Sequence, residues 1–118
     1  MFVYSDDYLQ NIREINGIIF CCEDIEPEYD EIAEHLASIY PVKMPLIVDS
    51  MIPKLVEFYG ETIKDITRDE TIVKLGQPLI DIELNLINFP NQTFDLEHVI
   101  TVEFIGDFEK ITGFSVDG

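Results

Sequence analysis

The sequence predicts an α+β fold in which helices pack on a mainly antiparallel sheet with a C-terminal three-stranded meander. Three observations carry that expectation. Apolar residues recur at helical spacing across the middle of the chain, they alternate with polar ones at period two after Leu79, and glycine, proline and asparagine punctuate the boundaries. The 118 residues are read as one domain, 1–118, because halves of that length would bury too little apolar surface to fold alone.

Taken in order, Phe2 to Tyr4 can form a short strand, and Ser5 with Asp6 offers a cap for a helix carrying Tyr8, Leu9, Ile12 and Ile15 at helical spacing. Asn16-Gly17 signals a turn, and the apolar run Ile18 to Cys22 reads as a strand. Pro27 suits the first turn of a helix over roughly 27–40, with a buried stripe of Tyr29, Ile32, Ala33, Leu36, Ala37 and Tyr40. Pro41 to Pro45 is expected to end it. Asp49 or Ser50 then caps a second helix, with Pro53 in its first turn, Ile52, Leu55, Val56 and Tyr59 facing inward and Gly60 as terminator. A third helix covers Asp69 to Leu75, capped by Thr67 or Asp69 and closed by Gly76 and Pro78. From Leu79, Ile80, Ile82, Leu84 and Leu86 alternate with Asp81, Glu83 and Asn85, which reads as one strand with one buried face. A turn at Phe89 to Gln92 precedes a strand with Ile100, Val102 and Phe104, and Gly106-Asp107 joins it to a last strand from Lys110 to Val116.

Hydrophobic residues make up 47% and charged ones 26%, close to the globular average, so the acidity is not that of a disordered chain. The net charge of −17 makes phosphate and anionic lipid poor partners and a basic protein a good one. Residues 1–42 hold ten acidic residues against Arg13 alone, and seven of the ten are Glu23, Asp24, Glu26, Glu28, Asp30, Glu31 and Glu34. Such a cluster repels itself, and a cationic partner would relieve it. No apolar run approaches the roughly 18 residues that span a bilayer, and the N-terminus lacks the basic region of a signal peptide, so the chain is expected to stay in the cytoplasm.

The sequence carries little catalytic grammar. Cys21 and Cys22 are adjacent in a strand, so they point to opposite faces and are expected to be free, buried thiols. Neither His35 nor His98 stands at a metal-ligand spacing, and no phosphate loop, nucleophile elbow or zinc motif is present. No catalytic residue, metal or cofactor is expected. His35 falls on the outward face of its helix, and His98 reads as a polar residue hydrogen-bonded near the sheet end. A small enzyme using His35 or His98 with a carboxylate brought close by folding is a lesser alternative.

The run Asp95-Leu96-Glu97-His98-Val99-Ile100-Thr101-Val102-Glu103-Phe104, a turn, and then Ile111 to Val116-Asp117-Gly118 resembles the closing hairpin of small bacterial immunity proteins. Those proteins belong to contact-dependent growth inhibition and polymorphic toxin systems. The resemblance implies a protein that neutralises a cognate toxin domain, commonly a nuclease, by binding at or beside its active site. A dense carboxylate surface suits that task, because a nuclease must present basic ground to its substrate. The candidate contact surface is the set from Glu23 to Glu34 above, with a second on the sheet side carrying Asp81, Glu83 and Glu103. A nucleic-acid mimic that inhibits several DNA-binding proteins is the other alternative.

Overall fold

A computed structural model describes all 118 residues. Seven strands form one sheet in sequence order: β1 Val3–Ser5, β2 Gln10–Ile15, β3 Ile18–Cys22, β4 Leu79–Asp81, β5 Leu86–Phe89, β6 Val99–Ile105 and β7 Lys110–Asp117. Neighbours are antiparallel except β3 and β4, which run parallel. A parallel pair cannot be closed by a tight turn, so the chain crosses over through two helices, α1 Tyr29–Tyr59 and α2 Arg68–Leu75. The result is the expected α+β arrangement, with β5 to β7 as the C-terminal meander.

The core lies between the helices and one face of the sheet. Phe20, Ile80, Ile87 and Val102 meet Leu36, Ile47, Met51 and Leu55 of α1 and Leu75 of α2, all buried. Cys22 belongs to that core, while Cys21 is buried on the opposite face of β3, and both are free thiols. Burial pushes Cys21 up to about 12 and Cys22 up to about 11, so neither is a ready nucleophile.

Three expectations are corrected. The helix expected around Tyr8 to Ile15 is a turn followed by β2, which pairs with β3 across Asn16-Gly17. Both turn residues have positive φ, +51° and +82°, the conformation a two-residue hairpin demands, and the pairing it sets outweighs the chance helical spacing. Pro41 and Pro45 do not end a helix; α1 is continuous over 31 residues with Pro41, Pro45 and Pro53 inside it. Each proline removes one helical hydrogen bond, but Pro41 and Pro53 face solvent and the buried stripe runs through unbroken from Ala33 to Leu55. Packing along that stripe decides the outcome.

The third correction is the strand from Leu79, which is a hairpin of β4 and β5. Asp81 Oδ1 accepts from the N–H groups of Glu83 and Leu84, each at 2.9 Å, and Asn85 takes φ +55°. Aspartate and asparagine at those two places turn the chain, and the period-two alternation simply runs through the turn. By contrast α2 starts as expected: the Thr67 hydroxyl accepts from Glu70 N–H and the Glu70 carboxylate from Thr67 N–H, a reciprocal cap.

Candidate functional site

The topology gathers acidic residues at one end of the sheet. The C-terminal ends of β3 and β4 point the same way, so the loop after Cys22, the turn 82–85, the turn 6–9 and the turn 106–109 all lie there, together with the start of α1. The Glu23 N–H donates to Glu83 Oε1 at 2.6 Å, and the Tyr29 hydroxyl donates to Glu83 Oε2 at 3.4 Å. Glu83 thus joins the cluster from Glu23 onward. Desolvation, with Glu83 beside it, raises the Tyr29 pKa.

Within this end the carboxylates divide into two groups. Asp30 and Glu34 are held by Arg13, whose Nη1 and Nη2 donate to them at 2.8 Å each. Desolvation works against the Asp30 charge, yet hydrogen bonds from the terminal amine and Arg13 leave its pKa below the ordinary value. Asp24, Glu26, Glu28 and Glu31 are exposed and their side chains make no hydrogen bond or ion pair within the chain. Asp6 and Asp7 on the turn 6–9 and Glu109 on the turn 106–109 lie at the same end of the sheet, also exposed. Among these carboxylates the turns hold up apolar side chains: Leu9 is 74% exposed, Ile25 51% and Leu84 64%.

The second candidate surface does not survive intact. Asp81 and Glu103 do share the sheet face away from the helices, since Asp81 pairs with Leu86 and Leu86 with Glu103. Asp81, however, is buried and spent on the β4–β5 turn, and Glu83 belongs to the sheet end. Of the three, Glu103 alone is exposed on that face, where Thr112 Oγ1 donates to its Oε1 at 2.9 Å.

Each histidine meets an aspartate. His35 Nε2 lies 2.9 Å from Asp107 Oδ2, and both side chains are about half exposed. They line a cleft of about 350 Å³ with Glu31, Ile32, Leu36, Asn85 and Phe104. His98 Nδ1 lies 2.8 Å from Asp95 Oδ2 at the opposite end of the sheet. Neither ring has a hydrogen bond to a hydroxyl or thiol of the chain in this arrangement. No three His, Cys, Asp or Glu side chains converge as metal ligands.

Asp95 is the hub of a network absent from the sequence reading. Its carboxylate accepts from Tyr59 Oη at 2.6 Å, Gln92 Nε2 at 2.9 Å, the N–H groups of Glu97 and His98 at 3.0 Å, and His98 Nδ1 at 2.8 Å. The Tyr59 hydroxyl and these further donors hold the Asp95 carboxyl far below the usual carboxylate range. Desolvation and the same aspartate push Tyr59 well above its ordinary value. Phe58 edges onto the His98 ring, Phe94 stacks on Tyr59, and the His98 ring leaves no room for a Cβ at Gly118. The Gln92, Asp95 and His98 spacing of three was the one signal in the sequence for such a knot.

No helix is long and apolar enough to cross a membrane. Compared with protein-family models, curated proteins and solved structures, the chain matches none.

Proposed function

We propose that the chain is an immunity protein that binds and neutralises a basic toxin domain, best fitted by a nuclease, by covering its substrate-binding surface. One observation carries this reading: unpaired carboxylates and exposed apolar tips share the same end of the sheet. Carboxylates without internal partners steer a cationic surface and speed its approach. Apolar side chains then supply the desolvated contacts that set affinity, which charge at a rim does not. Leu9, Ile25 and Leu84 are the candidate anchors, with Asp24, Glu26, Glu28, Glu31, Glu83 and Glu23 around them.

The test is a pull-down from the native host lysate with tagged protein at low salt, eluted by a salt gradient. The expected result is one basic protein held to high salt, whose nuclease or other toxic activity disappears when this chain is added. Many weakly held DNA-binding proteins would instead favour nucleic-acid mimicry. With the partner in hand, Asp24→Lys, Glu26→Lys and Glu28→Lys together should slow association by about tenfold or more at low salt. An unchanged on-rate would remove this end of the sheet from the binding surface. Asp30 and Glu34 are poor choices for that test, because changing them also breaks the contacts of Arg13.

A further inference from the structure

The sheet has two unlike edges. β1 is three residues long, whereas β7 is eight. β7 has no proline, and its one lysine, Lys110, is at the first position, so past the bulge at Thr112 the only usual protection of this exposed edge is the terminal Asp117. A bulge at Thr112 leaves Gly113 to Asp117 as a regular stretch opposite β6. The Phe104 N–H donates to the Asn85 carbonyl, which fixes the alternation of the ladder. The main-chain groups of Gly113 and Ser115 therefore face β6, and those of Phe114 and Val116 face outward, where no strand receives them. Beside the strand a cleft of about 370 Å³ opens toward α1, lined by Lys54, Glu57, Phe58, Phe114, Ser115 and Val116. Phe58 is 50% exposed there.

We propose that this edge is a self-association surface, on which β7 pairs antiparallel with β7 of a second copy about a two-fold axis at Ser115. The regular stretch is symmetric about that residue. In this register Phe114 of each copy lies opposite Val116 of the other, the two residues whose outward N–H and C=O groups lack partners. Their side chains stand on the helix side, as Val102 and Ile100 opposite them do, so each aromatic and β-branched pair closes over a cleft that now leaves Phe58 open. The two clefts meet at the axis, each with one Lys54 and one Glu57 on its rim, and opposite charges can pair across it in both directions.

Of the ways to join two copies, the charge distribution opposes this orientation least. Two chains of net charge −17 repel, but antiparallel pairing sends their acidic ends to opposite poles of the joined sheet, beyond a Debye length of roughly 8 Å. Both acidic ends stay open.

Sedimentation of the full chain at physiological salt, over a wide concentration range, tests the assembly, and cysteine cross-linking tests the register. The expected mass is twofold that of the chain. Ser115→Cys should form a disulfide-linked dimer under mild oxidation, because directly opposed residues at a non-hydrogen-bonded site lie about 4.5 Å apart. Lys110→Cys, far from the axis, should not; the native Cys21 and Cys22 are buried and do not compete. Val116→Pro removes an outward N–H while sparing the bonds to β6, and should return the chain to a monomer with unchanged circular dichroism. A chain that stays monomeric and gives no Ser115→Cys cross-link overturns the proposal and leaves the edge to a foreign strand. A dimer that cross-links through Lys110→Cys and not Ser115→Cys overturns it too. The cross-link decides even if Val116→Pro fails to fold.

Discussion

Asp95 and the trio Asp24, Glu26 and Glu28 are the same chemistry put to opposite use. Asp95 accepts five hydrogen bonds and fixes the loop that leads into β6. The trio accepts none through its side chains and stands exposed at the other end of the sheet. Carboxylates that bind their own chain lower the energy of the fold; carboxylates crowded without partners raise it by repulsion. In a chain with 24 acidic and 7 basic residues, the second group is the one left without an internal role, and it is the one assigned above to the proposed partner. The two histidine pairs repeat the contrast, since His98 is locked among Asp95, Phe58 and Gly118 while His35 and Asp107 meet in an open cleft.

The sharpest way to break the comparison is to disarm the hub. Asp95→Asn should destabilise more than any other single carboxylate change, because the amide keeps one acceptor oxygen for Gln92 and the loop N–H groups but loses the charge and sets its NH2 against the donors Tyr59 Oη and His98 Nδ1. Gln92→Leu comes next, at about 2–4 kcal/mol by urea unfolding: the side chain is buried, bonds Asp95 and the His98 carbonyl, and receives the N–H groups of Phe94 and Asp95. Tyr59→Phe removes one bond to a charged acceptor and should cost about 2 kcal/mol.

Acid reports on the same network. The folded Asp95 carboxyl lies below its ordinary value of 3.8, so its contribution to stability is complete above that pH. It is lost as pH falls through the depressed value. Asp30, held by the terminal amine and Arg13, Asp49, held by Arg68, and Glu70, in the α2 cap, are lowered too and add to the loss. A thermal melt series should therefore show a steep fall below about pH 4 in the native chain and a shallower one in Asp95→Asn. Equal slopes would mean that Asp95 is not the hub.

The sequence reveals elements whose signals are local. Thr67 and Glu70 mark the start of α2, the alternation of Ile100, Val102 and Phe104 marks β6, and the acidic cluster is visible by counting. What it conceals depends on contacts between distant segments. Pro41 and Pro45 read as a stop because their lost hydrogen bonds are local, whereas the apolar stripe that carries α1 past them is bound to the whole sheet. Glu83 reads as one tooth of a strand, and only the parallel crossover brings it to Glu23. Arg13 stands in the sequence only as the lone basic residue of 1–42, and it is β2 that sets it against Asp30 and Glu34. Asp95 hides for a related reason: its loop partners are near in sequence, but Tyr59 comes from the end of α1.

The smallest expected effect sharpens the other side of the comparison. Asp24→Asn, Glu26→Gln and Glu28→Gln together remove charges that hold nothing inside the chain, so the melting temperature should stay level or rise slightly as repulsion eases. Added sodium chloride should raise the melting temperature of the native chain at neutral pH by the same screening, and raise it less in the triple variant. The same variant should associate more slowly with the basic partner at low salt and approach the native on-rate as salt increases. A triple variant that melts much lower would show that these carboxylates support the fold after all. A surface that slows binding when neutralised, yet leaves stability level or improved, is one the fold does not need for itself.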